Sequence, residues 1–114
     1  MRNLGILGIF KQAQQLQEDI SKVKQELAGM KVQATSGGGM IEVTANGKQQ
    51  ILDIKIDPEV IKLNDKEMLE DLIVAGVNLA LERAQALAKD ELKKVTGDLL
   101  SQLPEGFKIP DLNL

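Results

Sequence analysis

The sequence predicts one α+β domain in which a long helix, a three-stranded antiparallel sheet and a second long helix follow one another. Three observations predict this fold class. Apolar residues recur at helical spacing over roughly the first 30 residues, alternate with polar residues between positions 31 and 56, and return to helical spacing between positions 65 and 96. The chain has 114 residues, the length of one domain, so we expect a single core within residues 1–114.

The first helix is predicted over residues 8–30. Its apolar residues alternate at spacings of four and three, which is typical of an amphipathic helix and also of a coiled coil. Two interpretations stay open. The stripe packs on the same helix of a parallel partner chain, with acidic side chains facing lysines across the seam, or it packs on the sheet or second helix of its own chain. The stripe consists of Ile9, Ala13, Leu16, Ile20, Val23, Leu27 and Met30.

Three strands are predicted at residues 31–36, 40–45 and 48–56. The dipeptide Asn46-Gly47 separates the second strand from the third, and this pair is typical of a type I′ hairpin turn, which needs a positive φ at both residues. Apolar residues alternate along both strands, so one face of the sheet is apolar and needs a cover. That face consists of Ile41, Val43, Ala45, Leu52, Ile54 and Ile56.

The second long helix is predicted over residues 65–96. Before it, Asp57-Pro58 is typical of a helix start and predicts a short helical turn, since aspartate caps the amides and proline lacks the N–H that would be unpaired. Residues 64–67 have the pattern of a capping box at the start of the long helix. Gly97 is the expected stop, and residues 103–114 are expected to form an irregular tail.

The composition argues against catalysis and against most metal sites. The chain has no histidine and no cysteine, so the commonest general base, a thiolate nucleophile and Cys/His metal sites are excluded. Helix capping accounts for the acidic residues around Glu67. Gly37-Gly38-Gly39 leads into a strand, whereas phosphate-binding loops lead into a helix. We therefore expect no catalytic residue, no cofactor, no metal and no small-molecule substrate.

No targeting or membrane segment is expected. The apolar run from Leu4 to Phe10 is followed at once by Lys11 and several glutamines, which is not the pattern of a signal peptide. No apolar stretch approaches the roughly 18 residues that span a bilayer. The sequence therefore predicts a soluble, cytoplasmic protein with no membrane partner.

The charge distribution allows nucleic-acid binding only through a local patch. The net charge is -3, which gives no general attraction to phosphate. Phe10 and Phe107 are the only aromatic residues, so unpaired bases have no platform for stacking and contact with a duplex backbone remains. Lys11, Gln15 and Lys22 lie along one outward line of the first helix, interrupted by an acidic side chain. That spacing by itself is typical of an ordinary solvated face.

Four blocks of the sequence resemble the YbaB/EbfC family of nucleoid-associated proteins. They occur in the family's order and spacing across about residues 8 to 110, together with Asn78 and Ala84. The Asn-Gly hairpin followed by Ile56-Asp57-Pro58 is the most diagnostic part. The blocks are FKQAQQLQ at 10–17, GGGMIEVTANGKQQILDIKIDP at 37–58, KEMLEDLI at 66–73 and LPEGFKIP at 103–110.

The resemblance implies a tweezer-like homodimer whose protruding helical arms bind duplex DNA, with a role in nucleoid organisation or gene regulation and without catalytic activity. The first helix would supply the main DNA contacts and the C-terminal part of the long helix would supply secondary ones. The acidic net charge suggests an alternative, a dimeric protein-interaction adaptor that does not bind nucleic acid directly. The implied contacts are Lys11, Gln12, Gln15 and Lys22 on the first helix, and Arg83, Lys89 and Lys93 on the second.

Overall fold

A computed structural model describes residues 2–102 and confirms the α+β fold class. Residues 103–114, where the irregular tail was expected, lie outside the described residues. Within residues 2–102, no helix is long and apolar enough to cross a membrane. The elements are α1 (Arg2–Leu27), β1 (Lys31–Ser36), β2 (Ile41–Asn46), β3 (Ile51–Ile56), α2 (Pro58–Lys62) and α3 (Lys66–Gln102).

The three strands form one antiparallel sheet in the order β1-β2-β3, and α3 covers one face of it. The inward side chains of β2 are completely buried beneath Ala80 and Ala84 of α3. Small residues on α3 permit this close approach, because a Cβ atom on Gly76 would lie 3.0 Å from Cγ2 of Val43. Two hydrogen bonds fasten β1 to the helix: the Ser36 hydroxyl donates to the Leu72 carbonyl at 2.6 Å, and the Arg83 guanidinium donates to a β1 carbonyl.

The C-terminal half of the apolar stripe on α1 packs within its own chain. Leu16, Ile20 and Val23 are half-buried and Leu27 is buried, and α1 contacts α3. This supports the second of the two interpretations of the stripe for that half. Residues 5–15, in contrast, are all exposed. We call α1 together with residues 85–102 of α3 the arm, because Ala84 is the last α3 residue in the core beneath the sheet and α1 contacts α3.

The helices extend beyond two predicted limits. The long helix continues through Gly97 to Gln102, so the predicted stop at Gly97 is wrong. A single glycine costs only about 1 kcal/mol in a helix interior, and the next proline after Gly97, which could end the helix, is at position 104. At the other end, α1 begins at Arg2 instead of position 8 and ends at Leu27 instead of 30.

The caps of α2 and α3 are both aspartates. The Asp57 carboxylate accepts a hydrogen bond from the Glu59 amide at 3.0 Å, and Pro58 occupies the first turn, as predicted. The Asp65 carboxylate accepts from the Met68 amide at 3.0 Å. The cap of α3 therefore lies one residue later than the predicted box, because Asn64 has φ 53 and ends the preceding turn.

The β2–β3 connection is not the predicted type I′ turn. Asn46 pairs with Gln50 through a 3.0 Å backbone hydrogen bond, and the only positive φ in the loop is at Gln49 (φ 61). This leaves a three-residue loop, Gly47–Gln49, and β3 begins at Ile51 rather than at Lys48. The reason is the Asn46 side chain, whose oxygen accepts from the amides of Lys48 and Gln50 at 3.0 and 3.1 Å.

Candidate nucleic-acid interface

The predicted contact residues on α1 are all exposed. Lys11, Gln12, Gln15 and Lys22 lie outside the buried stripe of the helix. The Gln15 amide donates to the Asp19 carboxylate at 3.0 Å, so one of these side chains already has an intrahelical partner. Within the described residues, neither lysine of this group forms a salt bridge. The exposed flank of α1 is therefore a mixed surface with two free ammonium groups.

The predicted contact residues on α3 do not form one cluster. Arg83 is turned to the sheet, where its guanidinium holds the Gln33 carbonyl. Lys89 is half-buried, and Lys93 is exposed one helical turn further along. Six residues on a helix correspond to about 600° of rotation, so Arg83 and Lys89 point about 120° apart. Arg83 is thus engaged in the fold, whereas the two lysines belong to the arm.

A groove lies where the arm meets the sheet, and we call it the basic groove. It has a volume of about 520 Å³ and takes its walls from three separate parts of the chain. Three of its lining residues are lysines, Lys24, Lys48 and Lys89, and among the described residues no carboxylate lines it. The described lining is Lys24 and Leu27 from α1, Gly47, Lys48 and Gln49 from the β2–β3 loop, and Gln85, Ala88, Lys89 and Leu92 from α3.

The position of the β2–β3 loop against α1 creates this groove. The Gly47 amide is directed at the carbonyls of Leu27 and Met30, at 2.9 and 3.0 Å. A Cβ atom on Gly47 would lie 2.7 Å from Cδ2 of Leu27, so only glycine allows this approach without a shift. The next residue, Lys48, is thereby held at the rim.

The buried side-chain amide of Asn46 also holds the β2–β3 loop against the end of α1. Its nitrogen donates to the Ala28 carbonyl at 3.3 Å and to the Gln50 side chain at 2.8 Å, while its oxygen accepts the two loop amides described above. One side chain therefore ties the end of α1 to both sides of the loop. Buried polar groups that are satisfied in this way rigidify their surroundings.

The electrostatics of the basic groove differ from those of the whole chain. The salt bridges within the described residues join Lys62 to Glu59 and Lys94 to Glu91. The three groove lysines are not among them. Leu27, Ala88 and Leu92 give an apolar floor on which lysine stems can lie while their ammonium groups remain in water. Three positive charges therefore share a recess whose described lining contains no carboxylate, in a protein of net charge -3.

The family resemblance implied Lys89 as a contact, but Lys24 and Lys48 were not among the expected contacts. Two residues on a helix are about 200° apart, so Lys24 lies on a different side of α1 from the predicted Lys22. Lys48 was assigned to a strand, although it directly follows a hairpin glycine. In the sequence, a lysine lies close to each of two chain reversals, the end of α1 and the β2–β3 loop. Only the tertiary fold shows that these two reversals meet. Among residues 2–102, no group of three or more His, Cys, Asp or Glu side chains could hold a metal ion.

Comparison with known proteins agrees with this structure. A family model described as the YbaB/EbfC DNA-binding family matches residues 1–99. A nucleoid-associated protein of Caldanaerobacter subterraneus subsp. tengcongensis is 45% identical over 107 residues, which cover 94% of this chain and 89% of that protein. A nucleoid-associated protein of Thermoanaerobacter pseudethanolicus is 46% identical over 94 residues, covering 82% and 85%. The crystal structure of an uncharacterized protein from Helicobacter pylori has the same fold, with a TM-score of 0.56 at 20% identity over 80% of this chain and 98% of that one.

Proposed function

The chain belongs to the YbaB/EbfC DNA-binding family, and from this premise we propose that it is a nucleoid-associated protein that binds duplex DNA as a homodimer. Its role would lie in nucleoid organisation or gene regulation, and its location would be the cytoplasmic nucleoid. The family is defined by DNA binding and not by a reaction, so we expect no catalytic activity. The observation that carries the proposal is the family match over residues 1–99, which include the whole arm except its last three residues.

The surface of the arm supports binding to the duplex backbone. Lys11, Lys22 and Lys93 are exposed on it, and none forms a salt bridge within the described residues. Lysine contacts to phosphate position a protein on DNA without reading its sequence. We therefore expect binding with little sequence preference and with a strong dependence on salt.

The apolar edge of the sheet supports the proposed homodimer. Ile54 pairs with Val43 and Ile51 with Ala45, so both face the α3 side, yet they are 37% and 36% exposed. Within residues 2–102, their strand β3 has no neighbour on its other side. Leu52 of the same strand is 48% exposed. Apolar surface of this kind beside an unpaired strand edge is typical of an association site, and a second copy of the chain would cover it.

A gel-shift titration with duplex DNA at low salt tests the DNA-binding proposal. The wild-type protein should shift the duplex, and Lys11→Glu combined with Lys22→Glu should weaken the shift because two favourable charges on α1 become repulsive. Lys62→Glu is the matched control, since Lys62 lies on α2, away from the arm. A wild-type protein that shifts no duplex would overturn the proposal, and an unchanged double variant would remove this flank of α1 from the contact surface.

The alternative function, an acidic adaptor that binds proteins without contacting DNA, is not favoured by the family match. Purification from cells provides a further test. Recovery of nucleic acid with the protein supports the DNA-binding function. Recovery of a stoichiometric protein partner without nucleic acid would support the adaptor.

A further inference from the structure

We propose that the basic groove, rather than the outer flank of α1, is the principal binding site for the DNA phosphate backbone, with Lys24, Lys48 and Lys89 as its phosphate contacts. This inference rests on the proposed DNA-binding function and specifies where the backbone lies. Neither the family match nor the sequence pattern points to Lys24 or Lys48. The charge, the rigidity and the lining of the groove support this assignment.

The groove is complementary in charge to the DNA backbone. Three lysines from α1, the β2–β3 loop and α3 line the groove, and no acidic side chain of the part of the chain that the structure describes lines it. On the outer flank of α1, by comparison, Glu18 lies among the lysines and Asp19 binds Gln15. A polyanion therefore meets uncompensated positive charge in the groove and mixed charge on the flank. Phosphate neutralisation by lysine supplies most of the affinity of sequence-independent DNA binding.

The rim of the groove is rigid. Lys48 follows Gly47, whose amide is directed at the carbonyls of Leu27 and Met30, and the Lys48 amide is itself bound by the Asn46 side chain. The backbone of this rim is thus fixed before any ligand arrives. A preformed surface loses less conformational freedom on binding than a flexible one.

The remaining lining fits a sugar-phosphate strand better than exposed bases. Gln49 and Gln85 add neutral amide groups that can donate to phosphate oxygens, and Leu27, Ala88 and Leu92 offer apolar contact to deoxyribose. None of the described residues that line the groove is aromatic, so its lining gives no support to stacking of unpaired bases. We therefore assign the groove to the backbone of a duplex.

The experiment measures the affinity of the full-length protein for one duplex as a function of salt concentration. Lys24→Gln, Lys48→Gln and Lys89→Gln are made singly and together, and the Lys11→Gln/Lys22→Gln pair and Lys62→Gln are measured beside them. Each groove lysine that binds a phosphate contributes about 0.9 to the slope of log affinity against log salt, so the triple variant should lose roughly 2 to 3 from that slope. Lys62→Gln should match the wild type.

The outcomes separate this inference from the proposed function. If the wild type binds and the triple variant keeps both the affinity and the slope, the groove is not the binding site for the backbone, and DNA binding itself stands. If the wild type binds no duplex, both proposals fail. Sedimentation of the triple variant provides the last control: a loss of self-association on substitution would assign the groove to a second copy of the chain and overturn the inference.

Amide chemical shifts locate the contact residue by residue. On addition of the duplex, the Gly47 and Gln49 amides should shift in a two-dimensional NMR spectrum of the wild type, because they lie at the rim. The same amides should not shift when duplex is added to the triple variant. Shifts confined to residues 11–22 of the wild type would overturn the assignment of the groove.

Discussion

The Gly47 amide nitrogen lies 2.9 Å from the carbonyl oxygen of Leu27, and this hydrogen bond joins the β2–β3 loop to the end of α1. The same contact orients the arm relative to the sheet and brings Lys48 to the wall that it shares with Lys24. Substitutions at this junction are therefore expected to affect both the stability of the protein and the shape of the basic groove.

Gly47→Ala should lower the free energy of unfolding by about 1 to 3 kcal/mol, as expected for an inserted methyl group in a closely packed site. The new Cβ would lie 2.7 Å from Cδ2 and 2.9 Å from the backbone oxygen of Leu27. Urea denaturation measures the change. Gly97→Ala is the matched control, since it meets no atom within 4 Å and lies in a helix, where alanine is favoured by up to about 1 kcal/mol. Equal stability of the Gly47→Ala variant and the wild type would contradict the packing described.

Asn46→Ala should destabilise the protein by about 2 to 3 kcal/mol, because four hydrogen bonds of a buried side chain are lost. Thermal and urea denaturation measure the change. A variant as stable as the wild type would show that these four hydrogen bonds do not hold the loop.

Ile54→Glu should shift the protein from dimer to monomer if β3 forms the subunit contact. The residue is 37% exposed on the α3 side of the edge strand, so a charge there would be buried in the dimer without a partner. Sedimentation equilibrium measures the mass. Lys55→Glu, on the next residue and the opposite face, should leave the mass unchanged. A dimeric Ile54→Glu variant would place the subunit contact elsewhere.

Arg83→Met should reduce stability by about 1 to 2 kcal/mol and leave the salt dependence of DNA binding unaltered. Its guanidinium is engaged with the Gln33 carbonyl, so the substitution removes a link between β1 and α3. The methionine keeps the length of the stem and its apolar contacts. Binding titrations at several salt concentrations, together with urea denaturation, separate the two effects. A reduced salt slope at full stability would make Arg83 a DNA contact instead.

Local signals predicted the elements of the fold well, and the two failures have different causes: side-chain and tertiary contacts of the β2–β3 loop, and the tolerance of a long helix for one glycine. Asp57 and Pro58 act within one turn of chain, so their capping role could be predicted. The conformation of Gly47 depends on Leu27, which is 20 positions earlier in the sequence. The hairpin rule therefore identified the chain reversal but gave the wrong turn type and began β3 three residues early. Gly97 matched a local stop signal that the surrounding helix overrides.

The candidate site was less predictable than the fold because its residues are distant in sequence. Lys89 could be named from the resemblance, but its neighbours Lys24 and Lys48 come from other elements. The three lysines come together because the β2–β3 loop packs against the end of α1. The spacing of residues along one helix does not show which loop packs there.

The groove lysines are 24 and 41 positions apart along the chain, so no short fragment of the protein contains all three. An isolated α1 peptide would keep Lys11 and Lys22 but would lose the groove. A duplex seated there would be a ligand of the native state alone, and by mass action it would raise the melting temperature in proportion to the logarithm of its concentration once binding is saturated. DNA would thus protect the folded protein against unfolding.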